Sequence, residues 1–454
     1  MIRRGVCALA LFLYLGTGCA RQRNLCVAVI GDFGGDTPGE AQVAALVGGF
    51  EPDLVVTVGD DNYPEGSAET IDRNIGKHWA RWIAPYRGAF GPGGDVNRFF
   101  PTLGNHDWRT AGAQPYLDYF ELPGNERYYD LERGDVHLFF LDSDPHEPDG
   151  VTRDSLQARW LRDGLARSKA SHKWVFFHHP PWSSGPHGST TELQWPFRAW
   201  GATAVFSGHD HDYERVDVAG MPYVVAGTGG MSLYKFREPI PGSVARRQHA
   251  WGALRLQVTR DGATGEFVAA GEAAHDRFAL PPASALAAPV TLVAPNASWH
   301  VRDGLAPQSG WLAPRFDQGE WAAAGTPFRI VDRGAAAGAS PRVTYYRIEL
   351  EVKDPARFAG LELGLPRDNP AAAYLNGREV DRLARSPARE KKWLVPRGPR
   401  SDPTAEPILV HRLLDPAALV AGTNVLAVEI QRTPGDGGDP SFAAELVAYP
   451  RTGP

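Results

Sequence analysis

Seven residues able to hold a cation recur where short apolar runs end. Asp32 follows the run 25–30, Asp60 and Tyr63 follow 54–58, and Asn105 follows 98–103. His178 follows 173–177, and His209 and His211 follow 202–206. Carboxylates at the end of a buried strand are costly unless a partner or a cation compensates them. In His209-Asp210-His211 the two imidazoles project to one side of an extended segment and reach the same region. Oxygen and nitrogen donors without thiolate suit Fe, Mn or Zn better than a soft metal or a structural zinc. Seven donors exceed one tetrahedral ion. With Asp60 shared they make four for each of two ions, held ~3.5–4 Å apart as in two-metal hydrolytic sites.

The elements that position these residues read as an α/β sheet. The start is β-α-β, with a helix at 37–50 entered through Thr37-Pro38. Side chains at the carboxyl ends of neighbouring strands share one crevice, so Asp32 and Asp60 are expected to meet. A Trp-rich helical segment (Trp79, Trp82) precedes the run 98–103, and a further helix is expected at 113–120. The segments 128–131 and 136–142 read as a hairpin around Arg133-Gly134, and the helix 154–167 takes Thr152 or Asp154 as its cap. A strand at 223–226 and a hairpin over 253–269, turning at Asp261-Gly262, complete this half.

Other polar residues near these motifs take ordinary readings. Asp61 and Asp107 border the cluster in structural roles, and His179 faces away from His178 if the strand continues. Gly227 to Gly230 is a backbone turn. His78, His137, His146, His172 and His249 have no evident partner in the sequence. Trp182 either walls a pocket or packs beneath it.

A chain of 454 residues exceeds one ordinary core, so two domains are expected. Its 50 glycines and 38 prolines lie above the usual share and favour a loop-rich, β-heavy protein. A net charge of −6 without a Lys/Arg block argues against a general nucleic-acid or anionic-membrane binder. Arg3-Arg4, the apolar run 6–15 and the small residues Gly16 to Gly18 form an export signal over 1–20, too short for a transmembrane span. Cys19 after Gly18 resembles a bacterial lipoprotein acylation site ending a signal at 18, and cleavage after Ala20 is the alternative. The protein is thus expected to be periplasmic, extracellular or anchored to the outer membrane. Cys26 is left alone, as a small buried hydrophobe with no disulfide.

Residues 279–289 have a linker composition, which gives a catalytic domain at 24–278 and a second domain at 290–450. The latter holds short alternating runs (345–352, 361–365, 372–375, 424–430, 443–448) broken by Asn376-Gly377 and Ala421-Gly422, the spacing of an antiparallel β-sandwich.

The ordered motifs Gly31-Asp32-Phe33-Gly34-Gly35, Gly59-Asp60-Asp61-Asn62-Tyr63, Gly104-Asn105-His106-Asp107, His178-His179-Pro180 and Gly208-His209-Asp210-His211 resemble the calcineurin-like metallophosphoesterases. Tyr63 and Asp212-Tyr213-Glu214-Arg215 resemble their purple acid phosphatase branch. The resemblance implies a four-layer α/β/β/α sandwich. It implies Fe(III) on Asp32, Asp60, Tyr63 and His211, and a divalent Fe, Zn or Mn on Asp60, Asn105, His178 and His209. It also implies that His106 contacts the phosphate and that His187 orients it or protonates the leaving alkoxide. Residues 373–380, 419–429 and 316–321 resemble galactose-binding-like β-sandwiches, for which a glycan, a surface ligand or a purely structural role stays open.

The expected activity is an exported acid phosphatase acting on phosphomonoesters. A metal-held hydroxide would attack phosphorus in line without a covalent phospho-enzyme. The alternatives are a phosphodiesterase using the same ions, or a surface-binding protein with a vestigial metal domain. Neither a Gly-x-Ser-x-Gly elbow nor a Gly-x-x-x-x-Gly-Lys-Ser/Thr loop occurs.

Overall fold

The computed structural model describes residues 24–304, 307–325, 342–366, 370–383, 409–432 and 442–451. The export signal expected at 1–20 lies outside them. In the N-terminal part the strands are β1 (Leu25–Ile30), β2 (Leu54–Thr57), β3 (Phe99–Phe100), β4 (Tyr129–Arg133), β5 (Val136–Phe140), β6 (His172–Phe176) and β7 (Ala204–Ser207). They continue with β8 (Tyr213–Val218), β9 (Met221–Ala226), β10 (Ser243–Arg247), β11 (Gly252–Thr259), β12 (Gly262–Ala269) and β13 (Ala274–Leu280). One sheet runs β13-β12-β11-β1-β2-β3 and the other β10-β8-β9-β7-β6-β5-β4. Within them, β1-β2-β3 at one end of the first sheet and β5-β6-β7-β9 in the middle of the second pair in parallel.

Strand periodicity explains the layers. Val27 and Val29 of β1 face the core between the sheets together with Leu138, Phe140, Phe176 and Phe206. Ala28 and Ile30 face outward, under Val43 and Val47 of the helix Pro38–Phe50. On the other flank Leu161 and Leu165 of the helix Leu156–Arg167 cover Phe139 and Val175. Two packed sheets with a helix outside each form the expected four layers. Thr37 caps the first helix by accepting a bond from Glu40 N–H at 3.0 Å, an interaction of about 1 kcal/mol.

Several local expectations are corrected. The run 98–103 pairs only at Phe99–Phe100, because Pro101 has no N–H to continue the ladder. The cap of the helix Leu156–Arg167 is Ser155, which accepts from Ala158 N–H at 3.1 Å, while Thr152 bonds to Asp154 instead. The strands β8, β10 and β13 were not legible, since charged residues interrupt their apolar alternation. β13 also extends to Leu280, two residues into the expected linker. Cys26 is half-buried rather than fully buried, its Sγ 3.7 Å from Phe50 O.

The C-terminal part is antiparallel throughout its described strands. One sheet contains β14 (Val290–Val293), β23 (Glu445–Pro450), β18 (Phe358–Pro366) and β21 (Leu409–Leu414). The other contains β16 (Ala322–Gly325), β15 (Ser298–Asp303), β17 (Arg342–Val352), β22 (Gly422–Arg432), β19 (Ala371–Leu375) and β20 (Arg378–Leu383). Trp299, Tyr346, Leu363, Leu426 and Leu446 fill the space between them, as in a β-sandwich. This part docks on the first through Arg153 Nη1, which donates to Glu445 Oε1 at 2.8 Å, and through Arg198, whose guanidinium lies over the Tyr449 ring. Between the two parts, Ala283 N–H donates to Ser171 O at 2.6 Å. No helix among the described residues is long and apolar enough to cross a membrane.

Candidate metal centre

The carboxyl ends of the parallel strands in both sheets open on one crevice, and there the chain turns sharply. Asp32, Asp60 and His209 each adopt positive φ, at 56°, 56° and 71°. Such a backbone costs a non-glycine residue of order 1–2 kcal/mol, a strain characteristic of functional sites. The turns bring the seven side chains together. Tyr63 Oη lies 2.9 Å from Asp60 Oδ2, 3.3 Å from Asp32 Oδ1 and 3.2 Å from His211 Nε2. Asp32 Oδ1 is 3.2 Å from the same His211 nitrogen. On the other side of Asp60, its Oδ2 is 3.3 Å from His178 Nε2. That nitrogen is 3.2 Å from both Asn105 Oδ1 and His209 Nδ1.

Hydrogen bonds behind the cluster fix which atoms face it. His178 Nδ1 is 2.8 Å from Val58 O, and His211 Nδ1 is 2.7 Å from Ser232 O. A carbonyl only accepts, so Nδ1 carries a hydrogen in each ring and Nε2 is the nitrogen that faces the cluster. Asp60 Oδ1 accepts from His106 N–H at 2.7 Å, and Asp32 Oδ2 accepts from His209 N–H at 2.9 Å. Asp107 accepts from the N–H groups of Gly104, Asp61 and Asn62, which ties two ligand-bearing loops together.

The electrostatics call for positive charge. Burial opposes protonation of His178, but the neighbouring carboxylate of Asp60, helped by Asp32, outweighs it and lifts its pKa to about 10. Burial likewise opposes ionisation of Asp60, and His178 and His106 more than offset it, so that the carboxyl is held below its usual range. Burial, with the charges of Asp60 and Asp32, pushes the Tyr63 phenol well above 10. Two buried acids, inward-facing imidazole nitrogens and a phenol fit metal ions that would take the place of the proton on His178. Asp32, Asp60 and His178 present ligand atoms within 4.8 Å of one another, as do His178, His179 and His209.

His179 therefore does not face away from His178. β6 ends at Phe176, and the N–H groups of His178 and His179 both donate to Ser143 Oγ, at 3.2 and 3.0 Å. Two successive amides on one hydroxyl require a bend, which cancels strand alternation. Burial, together with the His178 charge, holds its ring well below the usual histidine pKa.

His106 and His187 flank the cluster. The His106 ring lies 4.1 Å from that of Tyr63, and its Nε2 is 4.0 Å from Asp60 Oδ2. The His187 ring lies 4.2 Å from that of His209 and is 44% exposed, with Nδ1 3.0 Å from Asp210 Oδ1. Sequence reasoning missed two supports. Asp210, between the two histidines of its motif, is fully buried and holds His187 by both backbone and ring. Tyr234 stacks on His211 at 4.1 Å and 6°, and nothing in its sequence surroundings marks it.

The fold and the cluster together resemble those of a metallophosphoesterase domain. Residues 26–213 match the family model described as Calcineurin-like phosphoesterase. Among solved structures, the chain is similar to GAP50, the anchor in the inner membrane complex of Plasmodium. The identity there is 17%, covering 57% of this chain and 89% of that one, with a TM-score of 0.46. It is also similar to the purple acid phosphatase PPD1 of yellow lupin, at 18% identity, over 57% of this chain and 54% of that one, with a TM-score of 0.49. A third similarity, to a β-glucuronidase of Bacteroides uniformis, has 19% identity and covers 36% of this chain and 18% of that one, with a TM-score of 0.26. A search of proteins of curated function returned no match.

Proposed function

We propose that the protein is an exported acid phosphatase that hydrolyses phosphomonoesters at a binuclear centre. The observation that carries this reading is the Tyr63 phenol set between Asp32, Asp60 and His211. A phenolate is a hard donor and favours Fe(III) at that position. Asp32, Asp60, Tyr63 and His211 would hold the ferric ion, and Asp60, Asn105, His178 and His209 a divalent Fe, Zn or Mn. Bound there, the ions supply Lewis acidity toward the phosphoryl oxygens and acidify a water nucleophile.

The chain's own residues do the rest. Asp60 joins the two halves of the cluster, and the carbonyls of Val58 and Ser232 keep the imidazole Nε2 atoms turned inward. His106 stands over Tyr63 to take a phosphate oxygen. His187, oriented by Asp210, delivers a proton to the departing alkoxide from the open side. Export is supported by Arg3-Arg4 and the apolar run 6–15. The galactose-binding-like reading of the C-terminal sheets is supported only by the resemblance of residues 373–380, 419–429 and 316–321.

The test is hydrolysis of p-nitrophenyl phosphate against bis(p-nitrophenyl) phosphate by the purified mature protein. A clear preference for the monoester supports the reading, and a preference for the diester moves it to a phosphodiesterase.

A further inference from the structure

Beyond His187 the crevice widens into a pocket of about 520 Å³ that spans the seam between the two halves of the chain. Its walls come from three places: the 182–194 segment with Trp182 and His187, the loop with Arg237 and Ile240, and β21 with Arg412 and Leu413. Because the His187 ring is 4.2 Å from that of His209, the pocket adjoins the cluster on the side where a leaving group would depart. Several hundred cubic ångströms is the size of sites that take organic ligands.

Two arginines, Arg237 and Arg412, line this pocket. Arg237 is exposed and donates through Nη2 to Pro186 O, and it makes no ion pair among the described residues. Arg412 donates to His411 O at 3.2 Å, and its Nε forms an ion pair with Asp381 Oδ1 at 3.8 Å, longer than a hydrogen bond, which leaves its Nη2 without a partner among the described residues. Glu238 also lines the pocket. Arg412 is not what docks the two halves. Arg153 with Glu445, and Arg198 with Tyr449, serve that purpose. An arginine held on one side and open on the other, above apolar walls, suits an anion carried on a hydrocarbon body.

We infer that this pocket is a specificity subsite for the alcohol part of a phosphoester bearing a second anionic group, and that the C-terminal sandwich completes it with Arg412. The body of the alcohol packs on Trp182 and Leu413, and its carboxylate or phosphate meets Arg237 and Arg412. This rests on the phosphatase reading for the position of the scissile ester. It gives the appended sandwich a role in substrate choice.

The experiment compares kcat/KM for phenyl phosphate and 4-(carboxymethyl)phenyl phosphate, whose leaving groups are alike. The wild type should prefer the carboxylated ester. Arg412→Ala and Arg237→Ala should each cut that preference about tenfold, mainly through KM. Arg412→Lys should restore part of it, which a mere packing defect would not allow. An unchanged ratio in both alanine variants overturns the subsite. Calorimetric titration with 4-(carboxymethyl)benzylphosphonate separates the two claims. Should the wild type hydrolyse neither ester, the phosphatase reading fails, while weaker phosphonate binding in Arg412→Ala still supports the subsite and equal binding overturns it.

Discussion

Tyr63 Oη stands 2.9 Å from Asp60 Oδ2, a phenol against a carboxylate that also reaches the opposite group of donors. The three-residue spacing of the pair places an oxygen from each side chain at one point. Asp60 is therefore the residue through which both halves of the cluster are joined.

Asp60→Asn should remove that link. Metal content after gel filtration should fall, and kcat/KM should drop by more than about a hundredfold. Chelation of the wild type should lower its melting temperature, since ligands that bind only the folded state stabilise it. A variant that retains both metal and activity would remove Asp60 from the centre.

Replacement of His187 separates proton delivery from binding. An alkyl phosphate needs its departing oxygen protonated, whereas p-nitrophenolate leaves without help. His187→Gln should therefore lower kcat by about a hundredfold or more on the alkyl ester and much less on p-nitrophenyl phosphate. Equal losses on the two substrates would reassign His187 to phosphate positioning.

Gly104→Ala tests how closely the loops approach one another. A Cβ at Gly104 would lie 2.2 Å from the backbone nitrogen of Asp60, well inside contact distance, so the two turns must separate. Metal affinity should fall while the far-UV circular dichroism stays that of the wild type. Undisturbed metal binding would show that the loops have slack.

The seam between the halves should be acid-sensitive through Glu362. Burial alone would raise its pKa above 4.5, but the hydrogen bond and charge of His411, with Tyr449, more than offset this and hold it lower. A carboxyl depressed on folding contributes stability that is fully present above 4.5 and is lost as pH falls through its folded value. Glu362→Gln should thus cost about 1–3 kcal/mol at neutral pH. The gap in melting temperature from wild type should begin to narrow below pH 4.5 and close once pH falls under the depressed folded pKa. A gap that persists in acid would contradict this.

The sequence made the clustering legible because each candidate ligand follows an apolar run, and strand ends of a parallel sheet meet by topology. Asp32, Asp60, Tyr63, Asn105, His178, His209 and His211 were found in this way and lie in one cluster. What escaped depends on contacts distant in sequence or on bends that break a period. Tyr234 reaches His211 only through tertiary packing. Arg412 joins the pocket from more than two hundred residues beyond His187. His179 escaped because its backbone bends onto Ser143 just where alternation was assumed to continue. β13 escaped because its exposed positions interrupt the apolar pattern.

The central claim is most directly tested by the visible absorption spectrum and metal analysis of the purified protein, beside those of Tyr63→Phe. Iron is expected in the wild type, with a phenolate-to-iron charge-transfer band that the variant lacks. A colourless wild type holding two Zn or Mn ions, or a band that survives in Tyr63→Phe, would contradict the claim.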